Sequence, residues 1–267
     1  MKKISIIGGD IRTQILKQKL EEIGYSVDTL GLFYDDFADI KNADAIILPV
    51  PTTKDGKTVF TPLTNRNIFL SDIRDTVNDK QLILCCNYSF IGKNCINYGA
   101  IDGYALLNAV PTAEGAIQIA MENTPFSLWK SRVLVIGYGR VGKILADRLQ
   151  KIGCRVTVSA RKFTDFCMLD ALNFDRINTA ELKEKPLDYD IVFNTVDFPV
   201  LPDKVFKSSQ CRLAVDLSSK GGFSIAAAEE NGVKAIFAPG LPAKVAPKTA
   251  AEILFSTVCE ILETEKW

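Results

Sequence analysis

Apolar residues in this chain fall into short runs set between glycines and amphipathic stretches, and the rhythm repeats through two halves. In the first half, residues 4–7, 26–30, 45–48 and 81–86 read as strands. In the second, residues 133–136, 155–158, 191–194, 213–216 and 235–237 do the same. A continuous apolar run such as Val133-Leu134-Val135-Ile136 marks a strand buried on both faces of a parallel sheet. Between the strands the period changes to that of a helix. Ile11, Ile15, Leu16, Leu20 and Ile23 form one apolar face; Val141, Ile144, Leu145, Leu149 and Ile152 form another; Ala251, Leu254, Phe255, Val258 and Leu262 form a third. Strands alternating with helices predict an α/β chain with parallel sheets covered on both sides.

At 267 residues, two domains are expected. The first spans 1–110 and is completed by a C-terminal helix at 248–265. A connecting helix at 111–124 opens at Pro111 with Thr112 as its N-cap. The second domain spans 125–247.

The second domain carries the clearest chemistry. Gly137, Gly139 and Gly142 have the G-x-G-x-x-G spacing, placed between a strand and a helix as a dinucleotide site requires. The first glycine permits the turn, the second lets the backbone approach a pyrophosphate, and the third lets helix and strand pack closely. The fold class expected is therefore two Rossmann-like parallel-sheet domains with a cleft between them. The loop residues Gly137, Tyr138, Gly139, Arg140, Val141 and Gly142 are expected to hold the cofactor. An NAD enzyme places an acid at the end of the second strand, to hold the ribose 2′-hydroxyl. Here Ser159, Ala160, Arg161 and Lys162 stand there, a hydroxyl donor and two cations suited to a 2′-phosphate. The expected cofactor is NADP.

Composition narrows the rest. Thirty-two basic and thirty-two acidic residues cancel, which gives no electrostatic case for nucleic acid or an anionic membrane. No apolar run reaches the length of a membrane span, and residues 4–7 break at Gly8-Gly9, as a first strand does and a signal peptide does not. Seven cysteines, odd in number and never spaced C-x-x-C, fit reduced thiols in a cytoplasmic protein. Cys85 and Cys86 are expected in the core. Histidine is absent, which excludes imidazole zinc sites and Ser-His or Cys-His nucleophiles, and no metal is expected. Proton transfer falls to Lys, Glu, Asp, Tyr, Cys or water.

Ligands of open parallel sheets bind beyond the carboxyl ends of the strands. That rule selects Thr52, Thr53 and Asn87 for substrate hydrogen bonds, although Thr and Asn at strand ends are also ordinary turn chemistry. In the second domain it selects Asn194, Thr195, Val196, Asp216 and Gly240 beside the cofactor. Arg12, Lys220, Lys244 and Lys248 are candidate cations for an anionic substrate. Glu114 is a candidate acid or base, with helix stabilisation in a first turn as the competing explanation. Met121, Phe126 and Trp129 are expected as linker packing.

Several of these residues stand in motifs that resemble a known family. Gly8-Gly9-Asp10-x-Arg12, Ile47-Leu48-Pro49-Val50, Asn108-x-x-Pro111-Thr112-x-Glu114-Gly115, the glycine loop, Asp216-Leu217-x-Ser219 and the run 238–250 are similar, in order, to the dipicolinate synthase A-subunit family. The resemblance implies a cytoplasmic NADP-dependent oxidoreductase of the mother cell in a spore-forming bacterium. Its reaction would oxidise a dihydrodipicolinate-type dicarboxylate to dipicolinate, with the flavoprotein-like B subunit of the dipicolinate synthase as partner. Among the candidates chosen above from their positions, Glu114, Lys220 and Lys248 are expected to be catalytic, and Arg12, Thr52, Thr53, Asn87 and Lys244 to bind substrate. One departure stands out: the family pattern Ser-Arg-Pro-Gly-Gly is here Ser219-Lys220-Gly221-Gly222, which keeps a cation and loses the bidentate fork. The residues leave open a homo-oligomer, a shikimate- or folate-like substrate on the same fold, and an NADPH-sensing regulatory protein without turnover.

Overall fold

The computed structural model describes residues 2–90, 92–184, 186–265 and 267. It divides into two compact units, Met1–Asn108 with Ala246–Trp267, and Ala109–Val245. In the first, β1 (Lys3–Ile7) leads through α1 (Ile11–Glu22) to β2 (Ser26–Leu30). β3 (Ala45–Ile47), α2 (Leu70–Thr76), β4 (Leu82–Cys85) and β5 (Cys95–Asn97) follow. All five strands are parallel, in the order β2-β1-β3-β4-β5.

Helix α3 (Asp102–Asn123) starts in the first unit and ends in the second. It begins nine residues before Pro111, which lies inside it, so Thr112 is not its N-cap. Proline removes one backbone hydrogen bond from a helix interior. The helix continues because Ala113, Ala116 and Ala120 beyond the proline are fully buried against the second sheet.

That unit then runs β6 (Arg132–Ile136), α4 (Arg140–Ile152), β7 (Arg155–Ala160), α5 (Phe163–Ala171) and β8 (Asp175–Asn178). It continues through β9 (Ile191–Asn194), β10 (Leu213–Asp216), α6 (Ile225–Glu230), β11 (Lys234–Phe237) and α7 (Leu241–Val245). Its six parallel strands lie in the order β11-β10-β9-β6-β7-β8, the doubly wound arrangement of a dinucleotide fold. Helix α8 (Pro247–Thr264) belongs to the first unit, where Leu254, Val258, Ile261 and Leu262 share a core with Leu16 and Leu20 of α1. Each such buried aliphatic side chain stabilises by about 1.5–3 kcal/mol.

Alternation along the strands feeds two cores in each unit. Val133, Val135, Phe193 and Val215 pack toward α3 and α4, while Leu134, Ile136, Val192 and Ala214 pack toward Phe206, Phe223 and Ala228. Two strands depart from the expected set. β5 and β8 are edge strands of three and four residues, CIN and DRIN, with partly exposed side chains and no apolar run to betray them. In α1 the expected face is also shifted: Ile11 and Ile23 are exposed, and Arg12 and Thr13 are buried with Leu16 and Leu20. Among the described residues no helix is long and apolar enough to cross a membrane.

Candidate nucleotide site

In the second unit the strand order reverses at β6, which pairs with β7 on one side and β9 on the other. Such a switch point leaves a crevice beyond the carboxyl ends of the strands. Gly137 turns the chain there with φ 97°, a left-handed conformation that side chains disfavour, and its N–H donates to Ser159 O at 3.0 Å. Gly139 is the N-cap residue of α4. A Cβ at Gly142 would lie 2.1 Å from the Gly137 carbonyl oxygen, so the close return of the helix onto the turn requires glycine. A Cβ at Gly139 would meet nothing within 4 Å. The third glycine is therefore a packing requirement of the protein, while the second leaves open space at a helix N-terminus, where backbone N–H groups and the helix dipole favour an anion.

A cavity of about 730 Å³ opens on this loop, within the range of small-molecule sites. Of the expected cofactor residues, Gly137, Tyr138, Gly139, Ser159, Ala160, Arg161, Lys162, Thr195 and Val196 line it. Arg140 and Val141 open α4, and Gly240, with φ 70°, follows β11. Asn194 and Asp216 are wholly buried and do not reach the cavity. Asn194 Nδ2 donates to Asp216 Oδ1 at 2.9 Å and to Val196 O at 2.9 Å, while Asp216 accepts the N–H groups of Ser218 and Gly222. These two polar residues brace the loops after β9 and β10 from within the fold.

Ser159 also differs from expectation. Thr179 Oγ1 donates its single proton to Ala160 O at 3.2 Å, so the Ser159 hydroxyl, 3.1 Å away, donates to Thr179. Ser159 is fully buried, with its hydroxyl engaged by Thr179. Lys143, Asn178, Thr179, Lys183 and Phe198 also line the cavity, and none of them was expected there. Asn178 to Lys183 follow β8, so recognition of that edge strand would have found them by the carboxyl-end rule.

In the first unit the corresponding switch point lies between β1 and β3. Arg12 joins its two loops. The guanidinium is bidentate to Asp10, with Nε to Oδ1 at 2.9 Å and Nη2 to Oδ2 at 2.7 Å, and Nη2 also donates to Val50 O at 2.5 Å. Burial disfavours the charge, but Asp10 outweighs it and holds the guanidinium above its ordinary pKa. Arg12 is thus a buried, already paired cation rather than an open one. Thr52 is fully buried: its hydroxyl donates to Pro49 O and accepts Cys86 N–H, closing the loop after β3. The Thr53 hydroxyl lies in a turn with Asp55 and Gly56. Asn87 is exposed with φ 56°. Tyr98 donates to Leu48 O at 2.7 Å, and burial raises the pKa of both Tyr98 and Tyr104. Burial likewise pushes the Cys86 thiol up to about 11.

Lys220, Lys244 and Lys248 are exposed and pair with no carboxylate among the described residues. Lys220 follows β10, Lys244 lies on α7, and Lys248 opens α8. Glu114 sits mid-helix in α3 rather than in a first turn, and is ion-paired with Arg148 of α4. Helix-end stabilisation therefore does not explain it. Met121 and Trp129 are largely exposed, although Trp129 covers Gly153 at the end of α4.

Comparison with known proteins agrees with this geometry. The family model for the N-terminal domain of the dipicolinate synthase A subunit matches residues 3–97, and a putative NAD(P)-binding model matches residues 126–220. The A subunit of dipicolinate synthase from Bacillus subtilis is 31% identical over 97% of this chain and 95% of its own length. A crystal structure of the Bacillus subtilis A subunit superposes with TM-score 0.86 at 30% identity, covering 98% of this chain and 96% of the other. The A-subunit structure from Bacillus halodurans gives TM-score 0.87 at 27% identity, covering 99% and 98%. D-lactate dehydrogenase from Escherichia coli shares the fold alone, with TM-score 0.62 at 14% identity over 98% of this chain and 96% of the other. Two parallel-sheet units, a glycine loop at the switch point of the second and this whole-chain likeness make the chain a member of the dipicolinate synthase A-subunit family.

Proposed function

We propose that the chain is the NADP-dependent oxidoreductase component of a dipicolinate synthase, acting in sporulation with a second subunit. The observation that carries the cofactor is the end of β7. Arg161 and Lys162 stand where an NAD site places an acid, and both line the cavity of the glycine loop. The open space at Gly139, at the α4 N-terminus, would take the pyrophosphate.

Bound NADP supplies a hydride acceptor for a dihydropyridine dicarboxylate, whose ring loses one further proton as it becomes aromatic. The protein's task is to orient the ring and neutralise two carboxylates. Lys220, Lys244 and Lys248 suit the second task as exposed cations with no acid partner among the described residues. Within the first unit, Arg12 and Thr52 would act indirectly, by shaping the loops after β1 and β3, and Thr53 and Asn87 are the candidates for direct substrate hydrogen bonds. Glu114 would exchange its Arg148 partner for the substrate's proton.

The test uses the purified chain with its partner subunit and a dihydrodipicolinate-type substrate. Pyridine-2,6-dicarboxylate should appear at its ultraviolet band in step with NADPH. NADPH formation without that product removes the substrate assignment, and tight NADPH binding without turnover makes the chain a sensor.

A further inference from the structure

The cavity in the second unit is strongly cationic in a chain of zero formal net charge. Lys143, Arg161, Lys162 and Lys183 line it, and Asp165 is the one carboxylate among its described lining residues. None of the four cations forms an ion pair with an acid among the described residues; Lys143 lies 5.1 Å from the Tyr138 ring centroid. Lys183 reaches the cavity from a different strand end than Arg161 and Lys162. It ends the 3-10 turn Thr179–Lys183 that follows β8.

That turn is fixed at three points. Asn178 Oδ1 accepts the Ala180 N–H at 3.0 Å. Leu182 is buried in the core beneath the sheet. Thr179 is buried and ties the turn to the end of β7 through Ser159 Oγ and Ala160 O. The tie engages the Ser159 proton and carries the turn alongside the residues that lead into Arg161. A donor is thus withdrawn from the end of β7, while an ammonium on the adjoining turn lines the same cavity.

We propose that Lys183 is a specificity-determining residue for the cofactor, its ammonium binding the adenosine 2′-phosphate together with Arg161 and Lys162. The inference rests on the reading that this cavity takes a nicotinamide dinucleotide. A doubly charged phosphate group exposes three acceptor oxygens, more than one planar guanidinium can satisfy. A cation on the adjoining turn supplies a donor from a second direction.

Fluorescence titration of the full chain with NADPH and, separately, NADH tests this. Lys183→Gln should weaken NADPH binding roughly tenfold, the range of one charge-assisted hydrogen bond near solvent, with NADH affinity unchanged. Lys183→Arg should restore most of the NADPH affinity. Equal loss for both dinucleotides, or no loss for either, overturns the assignment of Lys183 while leaving the cofactor site in place. If the unaltered chain binds neither dinucleotide, the cofactor reading falls and the Lys183 proposal falls with it.

Discussion

Gly139 and Gly142 separate what the fold needs from what the ligand needs. At Gly142 an added Cβ would lie 2.1 Å from Gly137 O and 3.0 Å from Gly137 C. Ordinary contact begins near 3.4 Å, so Gly142→Ala must open the turn by roughly 1.3 Å. Overpacking of that kind costs about 1–3 kcal/mol, partly offset by the roughly 1 kcal/mol that alanine gains over glycine inside a helix. At Gly139 the added Cβ meets nothing, and φ of −82° suits any residue. Gly139→Ala should therefore change stability by less than about 1 kcal/mol, the loss of a good N-cap residue opposing the reduced entropy of the unfolded chain.

The ligand reverses the ranking. A pyrophosphate seated on the first turn of α4 must occupy the space that the Gly139 methyl group would fill. Displacing it by about 1 Å lengthens hydrogen bonds each worth about 1.5–3 kcal/mol, so Gly139→Ala should weaken dinucleotide binding by roughly 10- to 100-fold. Thermal melting and fluorescence titration of the two variants provide the comparison. Gly139→Ala should melt within a few degrees of the parent and bind poorly; Gly142→Ala should show a larger change in melting for its loss of binding. If Gly139→Ala binds NADPH with the parent's affinity, the pyrophosphate does not approach α4 and the placement of the cofactor is wrong.

Three further outcomes follow from the hydrogen-bond pattern. Ser159→Ala should lower stability by about 1–2 kcal/mol, through the lost bond to Thr179, and leave the NADPH-to-NADH affinity ratio unchanged; a selective loss of NADPH affinity would show that the hydroxyl reaches the phosphate. Burial opposes the Asp36 charge, but the N–H groups of Phe33, Gly31 and Leu32 prevail and hold its carboxyl below the usual range. The parent's stability should thus fall as pH drops from about 4 through the lower folded value, and Asp36→Asn, losing about 2 kcal/mol near neutrality, should lack that part of the acid slope in urea melts. The Cys85 and Cys95 sulfurs lie 3.2 Å apart and titrate as a pair, with Cys95 held below the ordinary thiol pKa and Cys85 above it. Iodoacetamide should label Cys95 at a lower pH than an ordinary thiol and spare buried Cys85, Cys86, Cys154 and Cys211; labelling of Cys95 that begins only above pH 9 would refute the pairing.

Which features could be read in advance follows from how many independent constraints fell on the same residues. Strands β6 and β9 are buried on both faces, so the apolar runs at 133–136 and 191–193 had no alternative use, and the glycines after β6 fixed the turn. β8 is half exposed at the sheet edge, and Asp175 and Arg176 at its start look like loop residues until β7 supplies the missing hydrogen bonds. Losing β8 meant losing Thr179 and Lys183, because the carboxyl-end rule applies only to strands already found. The polar candidates pose a different problem. Residue type and strand-end position marked Ser159, Asn194, Asp216, Thr52 and Arg12, but neither reveals where a proton points. Once a buried polar atom must find a partner, the nearest loop competes with the ligand, and in all five cases the loop holds the hydrogen bond. Exposed cations carry no such internal obligation. If the cavity takes a dinucleotide as proposed, substitution at Arg161, Lys162 and Lys183 should therefore alter cofactor choice more than it alters folding.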